Sequence, residues 1–393
     1  MHETKIVDDG RARSGDGDRG RSVALAAVAG VRPGDLVLQT LPFAKVLSPE
    51  LWSSHCHHCF TTERAKLSRC GRCRTAYYCS RDCQQKDWKP DHQTECRQLE
   101  QLETLLLATL AQKLKLVDET ASAQELQRML SRFENNNFSI CDDLLLEIGA
   151  GCFPLGAMVN HSCAPNCAVT FSAKTHSLEF RAMRAIASEE EITQSYVDIA
   201  LSRHERQRRL EQKYHFWCAC ARCSKSLDDP ESLDAFLDAD INGVPESQWS
   251  HERMESVETA KSLLLRPDGS EDPIKTLQLA LEAMRTELHD ENISILQAYS
   301  GLFSAEMERG SITEALPFGE KMLAFYQRVY PANHPLVGLH LFTLGDLHLQ
   351  QLETQGSNPQ AKVYLSEAQR ILQITHGEKH HFIELLNQRI QNC

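Results

Sequence analysis

No run in this sequence approaches the roughly 18 consecutive apolar residues needed to cross a bilayer. The first twenty residues carry charges throughout, where a secretory leader has an apolar core. Membrane insertion and secretion are therefore not expected. Basic charge is in deficit as well: 42 lysines and arginines stand against 54 aspartates and glutamates, a formal net charge of −12. That field repels polyanions and attracts basic peptides, and no basic stripe offsets it, so nucleic acid is not expected as the main partner. The segment Met1–Gly17 alternates acids and bases with Gly and Ser and has no periodicity, which predicts a mobile tail. At 393 residues the chain has room for two or three domains.

What the chain has in excess is cysteine. Fifteen cysteines without a leader favour reduced thiolates holding metal over disulfides. A first cluster runs Cys56-x2-Cys59, Cys70-x2-Cys73, Cys79-x3-Cys83 and His92-x3-Cys96. Pairs two to four residues apart meet one metal across a knuckle or a helical turn, and eight such ligands suit two closed, structural zinc sites. Sequential and interleaved pairing use the same residues, so spacing does not choose between them. A second cluster, Cys218-x-Cys220-x2-Cys223, supplies three ligands and needs a fourth from elsewhere. Cys141, Cys152 and Cys393 have no such company and read as packed or surface thiols.

Strand signals are short. Leu36–Val46 is apolar and interrupted by Pro42, Ala168–Phe171 and Leu178–Arg181 flank a polar turn as in a hairpin, and Glu191–Val197 alternates as a closing strand. With no crossover helices between them, a doubly wound nucleotide-binding fold is not expected. Leu102–Leu116 and Ala123–Phe133 are amphipathic helical runs. From Ser232 onward apolar residues recur at three and four, as in Leu277, Leu281, Met284 and Leu288. A period near 45 places His289, His334 and His380 each after a helical run, with Ala315 and Ala361 in corresponding places; His334-Pro335 separates two helices. Such repeats predict stacked antiparallel helix pairs, and the histidines read as helix-end or loop residues, not metal ligands.

Several motifs resemble one family. The order of the first cluster, with Tyr77-Tyr78 before its third pair and Trp88 before its His, is similar to the MYND zinc finger. Asn160-His161-Ser162-Cys163-Ala164-Pro165-Asn166-Cys167 resembles the signature of SET domains, and the second cluster resembles their post-SET zinc site. Asp18–Ser22, Asn136–Cys141, Gln194-Ser195-Tyr196 and Tyr214–Cys218 resemble further family segments in order, and the finger interrupts the SET region as it does in the SET and MYND domain lysine methyltransferases.

The resemblance implies an α+β fold: a SET β-fold split by a MYND finger, followed by an all-α, tetratricopeptide-like domain. It divides the chain into tail (1–17), N-terminal SET part (18–50), finger (51–96), shortened helical insertion (97–135), SET core (136–200), post-SET segment (201–226) and helical repeats (227–393). It implies interleaved ligands, with Cys56, Cys59, Cys79 and Cys83 on one ion and Cys70, Cys73, His92 and Cys96 on another, while Cys163 completes the site of Cys218, Cys220 and Cys223, giving three zinc ions. Arg19, Asn136, Asn160 and His161, with Tyr196 and Phe216, would contact S-adenosylmethionine, and Tyr196, Tyr214 and Phe216 would line the lysine channel as the catalytic set.

Proteins presenting a lysine are the implied substrates, and proline-rich peptides the implied ligands of an aromatic groove at Trp88 and the finger tyrosines. The resemblance also implies a monomeric chromatin regulator of nucleus and cytoplasm. Methyl transfer needs a neutral amine aligned opposite a sulfonium leaving group, so positioning is the main catalytic resource, and an apolar channel favours the neutral amine. Against this stands a second reading, a catalytically weak or silent scaffold that recruits partners through its finger and repeats. Arg21 and Ser22 in the opening turn and the short 97–135 insertion favour it, and the latter predicts an open groove with weak cofactor binding.

Overall fold

The computed structural model describes residues 4–8, 23–62, 67–73, 75–88, 92–93, 96, 136–227, 229, 232–264, 272–355 and 359–393. Arg19 with the rest of Asp18–Ser22, and the expected helices Leu102–Leu116 and Ala123–Phe133, lie outside the described residues. The fold is α+β, with short strands in the first half and helices in the second. It separates into two compact units: the described residues of Met1–Val28, Leu36–Val159 and Val169–Phe180, and those of Ala29–Asp35, Asn160–Ala168 and Arg181–Cys393.

In the first unit, β1 (Thr4–Asp8) pairs antiparallel with β2 (Val23–Ala27), Thr4 opposite Ala27 and Asp8 opposite Val23. Within the expected tail, Thr4–Asp8 is thus a strand. Pro42 splits the next apolar run into β3 (Leu36–Thr40) and β4 (Ala44–Leu47). The finger follows, with β5 (Ser68–Arg69) antiparallel to β6 (Tyr77–Tyr78) and a two-turn helix α1 (Arg81–Asp87) capped by Ser80, whose hydroxyl accepts from Cys83 N at 3.1 Å.

β4 then pairs with β8 (Glu147–Cys152), which pairs with β7 (Asn137–Cys141), all antiparallel. After β9 (Asn160–His161), which belongs to the second unit, β10 (Cys167–Ser172) and β11 (Ser177–Ala182) form the expected hairpin, and β11 neighbours β3. The finger is anchored to the strands by Phe60, which is buried, has its ring 6.3 Å from that of Phe171 and carries Lys45 Nζ 4.3 Å above it. Gly149 makes that seat possible. A Cβ there would stand 2.3 Å from Val46 O and 3.0 Å from Phe60 Cε2.

In the second unit the expected strand Glu191–Val197 contracts to β12 (Thr193–Gln194), parallel to β9. It stops there because Tyr196 N donates to a side chain, His161 Nδ1, at 2.9 Å, and the Ser195 hydroxyl donates to Val197 O at 2.6 Å, bending the chain. Helix α2 (Arg203–Tyr214) leads into the cysteine triple. Among the described residues seven α-helices follow: α3 (His251–Leu264), α4 (Pro273–Glu287), α5 (Ile293–Glu308), α6 (Ile312–Val329), α7 (Pro335–Gln355), α8 (Pro359–His376) and α9 (His381–Gln391), each packing on the next. Prolines open α4, α7 and α8, where the missing N–H costs nothing.

Leu277, Leu281 and Met284 bury one face of α4 against Ile295 and Leu302 of α5, and Ala315 and Ala361 are fully buried. The repeat histidines take one shared part. His289, His334 and His380 each accept, at Nδ1, the N–H two residues on, at 3.2, 3.3 and 3.3 Å; His334 and His380 thereby cap the following helix, while His289 closes the turn ahead of Asn292, the cap of α5.

Candidate active site and metal centres

The site in the second unit is built outward from α2. Ser202 caps it, accepting from Glu205 N at 3.3 Å, and Glu205 is held down to about 2 by hydrogen bonds from Arg208 and then Arg209. The helix ends at His215, whose left-handed backbone (φ 58°) turns the chain back toward the helix. Its buried face is Arg206, Gln207 and Leu210. Gln207 fixes the cysteine knuckle through its amide: Oε1 accepts from Cys218 N and Nε2 donates to Cys218 O, both at 2.8 Å.

The sulfurs of Cys163, Cys218, Cys220 and Cys223 all lie within 4.8 Å of one another, and those of Cys163 and Cys223 are 3.5 Å apart. A tetrahedron with Zn–S near 2.3 Å has edges of about 3.8 Å, so this donor set fits a closed, four-thiolate zinc site. In the finger, Cys56, Cys59, Cys79 and Cys83 form one such group and Cys70, Cys73, His92 and Cys96 another, the interleaved arrangement. Contacts of 3.6 Å (Cys59 to Cys79), 3.5 Å (Cys79 to Cys83), 3.9 Å (Cys70 to Cys96) and 3.6 Å (Cys73 to His92 Nε2) match tetrahedral edges.

A hydrogen bond from Cys56 draws the Cys59 thiol down to about 4. At Cys70 burial opposes ionisation, but the N–H groups of Cys73 and Arg72 outweigh it and bring the thiol to about 6. Burial pushes the ligand thiols Cys79 and Cys96 up to about 11, as it does Cys141, and Cys167 to about 12; what sets Cys141 and Cys167 apart is that they belong to none of the cysteine groups.

Of the finger aromatics, Tyr78 is core: it is buried, and its hydroxyl donates to Asp87 Oδ2 at 2.7 Å. Trp88 packs its ring 5.7 Å from that of His92. An aromatic groove therefore has half-buried Tyr77 and Trp88 to draw on, without Tyr78.

The signature octet is knitted to β12 by its last asparagine. Asn166 is buried; its Oδ1 accepts from Thr193 N at 2.7 Å and its Nδ2 donates to Glu191 O at 2.8 Å. Asn160 Nδ2 donates to Glu191 Oε1 at 2.8 Å. Around His161 the expected aromatic side chains converge: its ring lies 5.3 Å from Tyr196 and 6.0 Å from Phe216, and Tyr196 lies 4.9 Å from Tyr214. The three aromatics are half-buried and pack against the cysteine site. Such ring faces suit a sulfonium or a substrate ammonium. Both His161 ring nitrogens face protein groups, Tyr196 N and Cys163 Sγ, so a cofactor contact by His161 falls to its main chain. Asn136 immediately precedes β7 in the first unit.

Sequence reading missed three residues. Arg206 donates to Cys163 Sγ at 3.2 Å and through a fork to Asp234, which Arg222 also holds, at 2.7 Å from its Nη2. Arg206 sits in the run Arg203-His-Glu-Arg-Gln-Arg-Arg, which reads as a solvated face. The available signal was its place four residues before Leu210, on the same helical stripe as Tyr214.

Residues 56–96 match the MYND finger family. Over 427 residues the chain is 29% identical to the histone-lysine N-methyltransferase SMYD3 of Mus musculus, covering 95% of each chain. It is 27% identical to the histone-lysine N-methyltransferase ASHR1 of Arabidopsis thaliana, over 95% of this chain and 93% of that one. It is 26% identical to the N-lysine methyltransferase SMYD2 of Homo sapiens, over 95% and 96%.

Proposed function

We infer that this chain, which belongs to the SET and MYND domain family of protein lysine methyltransferases, transfers methyl groups from S-adenosylmethionine to lysine side chains of proteins. The observation that carries this reading is the cluster of Tyr196, Tyr214 and Phe216 around His161, at the edge of the four-cysteine site. Asn160 and the main chain of His161 would contact the cofactor, which supplies an electrophilic methyl on a sulfonium. The protein's own part is to hold and to exclude: the three rings wall off water around the substrate amine, favouring its neutral form, and the Tyr196 hydroxyl orients the methyl by weak C–H to oxygen contacts. No general base need be assigned, since alignment supplies most of the rate.

Three zinc ions per chain complete the reading, all structural, because each donor set is closed. The surplus of acidic side chains suits basic, lysine-bearing protein substrates, and reduced thiolate sites suit nucleus and cytoplasm. Half-exposed Tyr77 and Trp88 make the finger a docking place for proline-rich peptides. The test is transfer of labelled methyl from S-adenosylmethionine to a lysine-rich protein pool, alongside elemental analysis. Label on lysine with three zinc equivalents supports the reading; cofactor binding absent by calorimetry in metal-replete protein would overturn it.

A further inference from the structure

His161 has one ring nitrogen on the tyrosine loop and the other on the metal site. Its Nδ1 accepts from Tyr196 N at 2.9 Å. A nitrogen that accepts carries no proton, so the proton of the neutral ring is on Nε2. Nε2 lies 3.3 Å from Cys163 Sγ, and the same sulfur receives Arg206 Nε at 3.2 Å. A ligated cysteine sulfur has no proton of its own and can accept from both. His161 and Cys163 are both buried, at 2% and 1% exposure, so water does not replace either bond.

We propose that His161 is a positioning residue that ties the main chain of Tyr196 to the metal-bound sulfur of Cys163, so that the four-cysteine site sets the geometry of the tyrosine loop. The proposal rests on the methyltransferase reading for its consequence, but its structural half stands apart from it. The site is then more than a staple for the C-terminal flank. A sulfur fixed by metal fixes the imidazole, and the imidazole fixes the strand end at which β12 gives way to the Tyr196 bend. Arg206 holds the sulfur from the other side and is itself locked by Asp234, so the sulfur cannot follow the ring if the ring moves.

Two substitutions separate the two bonds. His161→Gln keeps a donor where Nε2 stands and removes the Nδ1 acceptor; His161→Asn keeps the acceptor and removes the donor. Each full-length variant is exchanged with cobalt and its thiolate-to-cobalt charge-transfer bands are recorded, with metal release to a chelator and methyl-transfer kinetics measured in parallel. For His161→Gln the bands and metal release should match the parent, while kcat falls by about tenfold or more with KM for cofactor within about twofold. For His161→Asn the bands should shift and one metal equivalent should leave faster, with a smaller loss of kcat. Identical bands and release in both variants would overturn the proposal, as would equal losses of kcat. A parent that transfers no methyl group would remove the functional reading alone, and the band shift in the Asn but not the Gln variant would still decide whether the His161–Cys163 tie exists.

Discussion

Arg206 donates to both carboxylate oxygens of Asp234, at 2.9 and 2.7 Å, with neither side chain exposed to solvent. Arg222 adds bonds of 3.0 and 2.7 Å, and half-buried Arg203 one of 3.2 Å. Burial alone would raise the Asp234 pKa, but Arg206, followed by Arg222, holds it below the usual carboxylate range. The same pairing raises Arg206 despite its burial, so both groups stay charged. The acid thereby neutralises guanidinium groups that crowd the cysteine site.

Removing that acid leaves uncompensated buried cations. Asp234→Asn is expected to destabilise the folded chain by about 3–5 kcal/mol, the cost of breaking a buried pair from one side. Denaturant unfolding of zinc-loaded protein measures it. A loss under about 1 kcal/mol, typical of exposed pairs, would show that solvent reaches the network.

Gly149 admits no side chain where it lies against Val46 O. Gly149→Ala should cost about 1–3 kcal/mol through overpacking and should loosen the seat of Phe60. Gly71, whose added Cβ would meet nothing within 4 Å, is the control. Thermal unfolding of both variants reads the difference; equal midpoints would mean that β4 and β8 part without strain.

Burial pushes His334 down to about 4 from an ordinary 6.5. The unfolded chain then binds a proton at a higher pH than the folded chain does, so this histidine withdraws stability as pH falls from 6.5 toward 4 and has no effect above that window. His334→Asn keeps a short acceptor for Leu336 N and should flatten the acid limb of the unfolding midpoint between pH 6.5 and 4. Thermal scans across that range, with the parent beside the variant, check it; an unchanged limb would assign the acid loss to His57 and His176, which burial also lowers to about 4.

Much of this was legible because metal ligands and turn residues signal through spacing. The pairs from Cys56 to Cys96, the Pro42 break, the hairpin on either side of 173–176 and the 45-residue period all survive in the fold. What the chain hid was long-range polarity. Locally Arg206 differs from exposed Arg208 and Arg209 only in its place on the stripe of Leu210 and Tyr214, and the partner that neutralises it is an aspartate 28 residues away. The end of β12 was hidden for the same reason: alternation continues through Val197, but His161 offers Tyr196 N an acceptor that no periodicity reveals.

Tyr196→Phe removes only a hydroxyl. Two weak C–H to oxygen contacts of about 0.5–1 kcal/mol each correspond to a fall in kcat of roughly five- to thirty-fold. Zinc content and unfolding midpoint should match the parent. A variant that turns over at the parental rate would make Tyr196 a packing residue.

Tyr330 offers a finer test of the same loop. It is buried and donates its hydroxyl to Asp198 Oδ1 at 2.9 Å, and the same oxygen accepts from Ala200 N at 2.9 Å. The bond joins the turn after Tyr196 to the loop between α6 and α7, all within the second unit. Asp198 is itself exposed, so water can take the place of the lost donor. Tyr330→Phe should therefore cost only about 0.5–1.5 kcal/mol of stability. Its larger effect should be local: Ala200 N–H exchanges faster with deuterium while the helices keep their protection. Because the anchor sits two residues from Tyr196 and touches no reacting atom, kcat should fall less than in Tyr196→Phe. Unchanged exchange at Ala200 would mean that the turn holds its shape without the helical repeats, and a fall in kcat as large as that of Tyr196→Phe would place Tyr330 in the reaction itself.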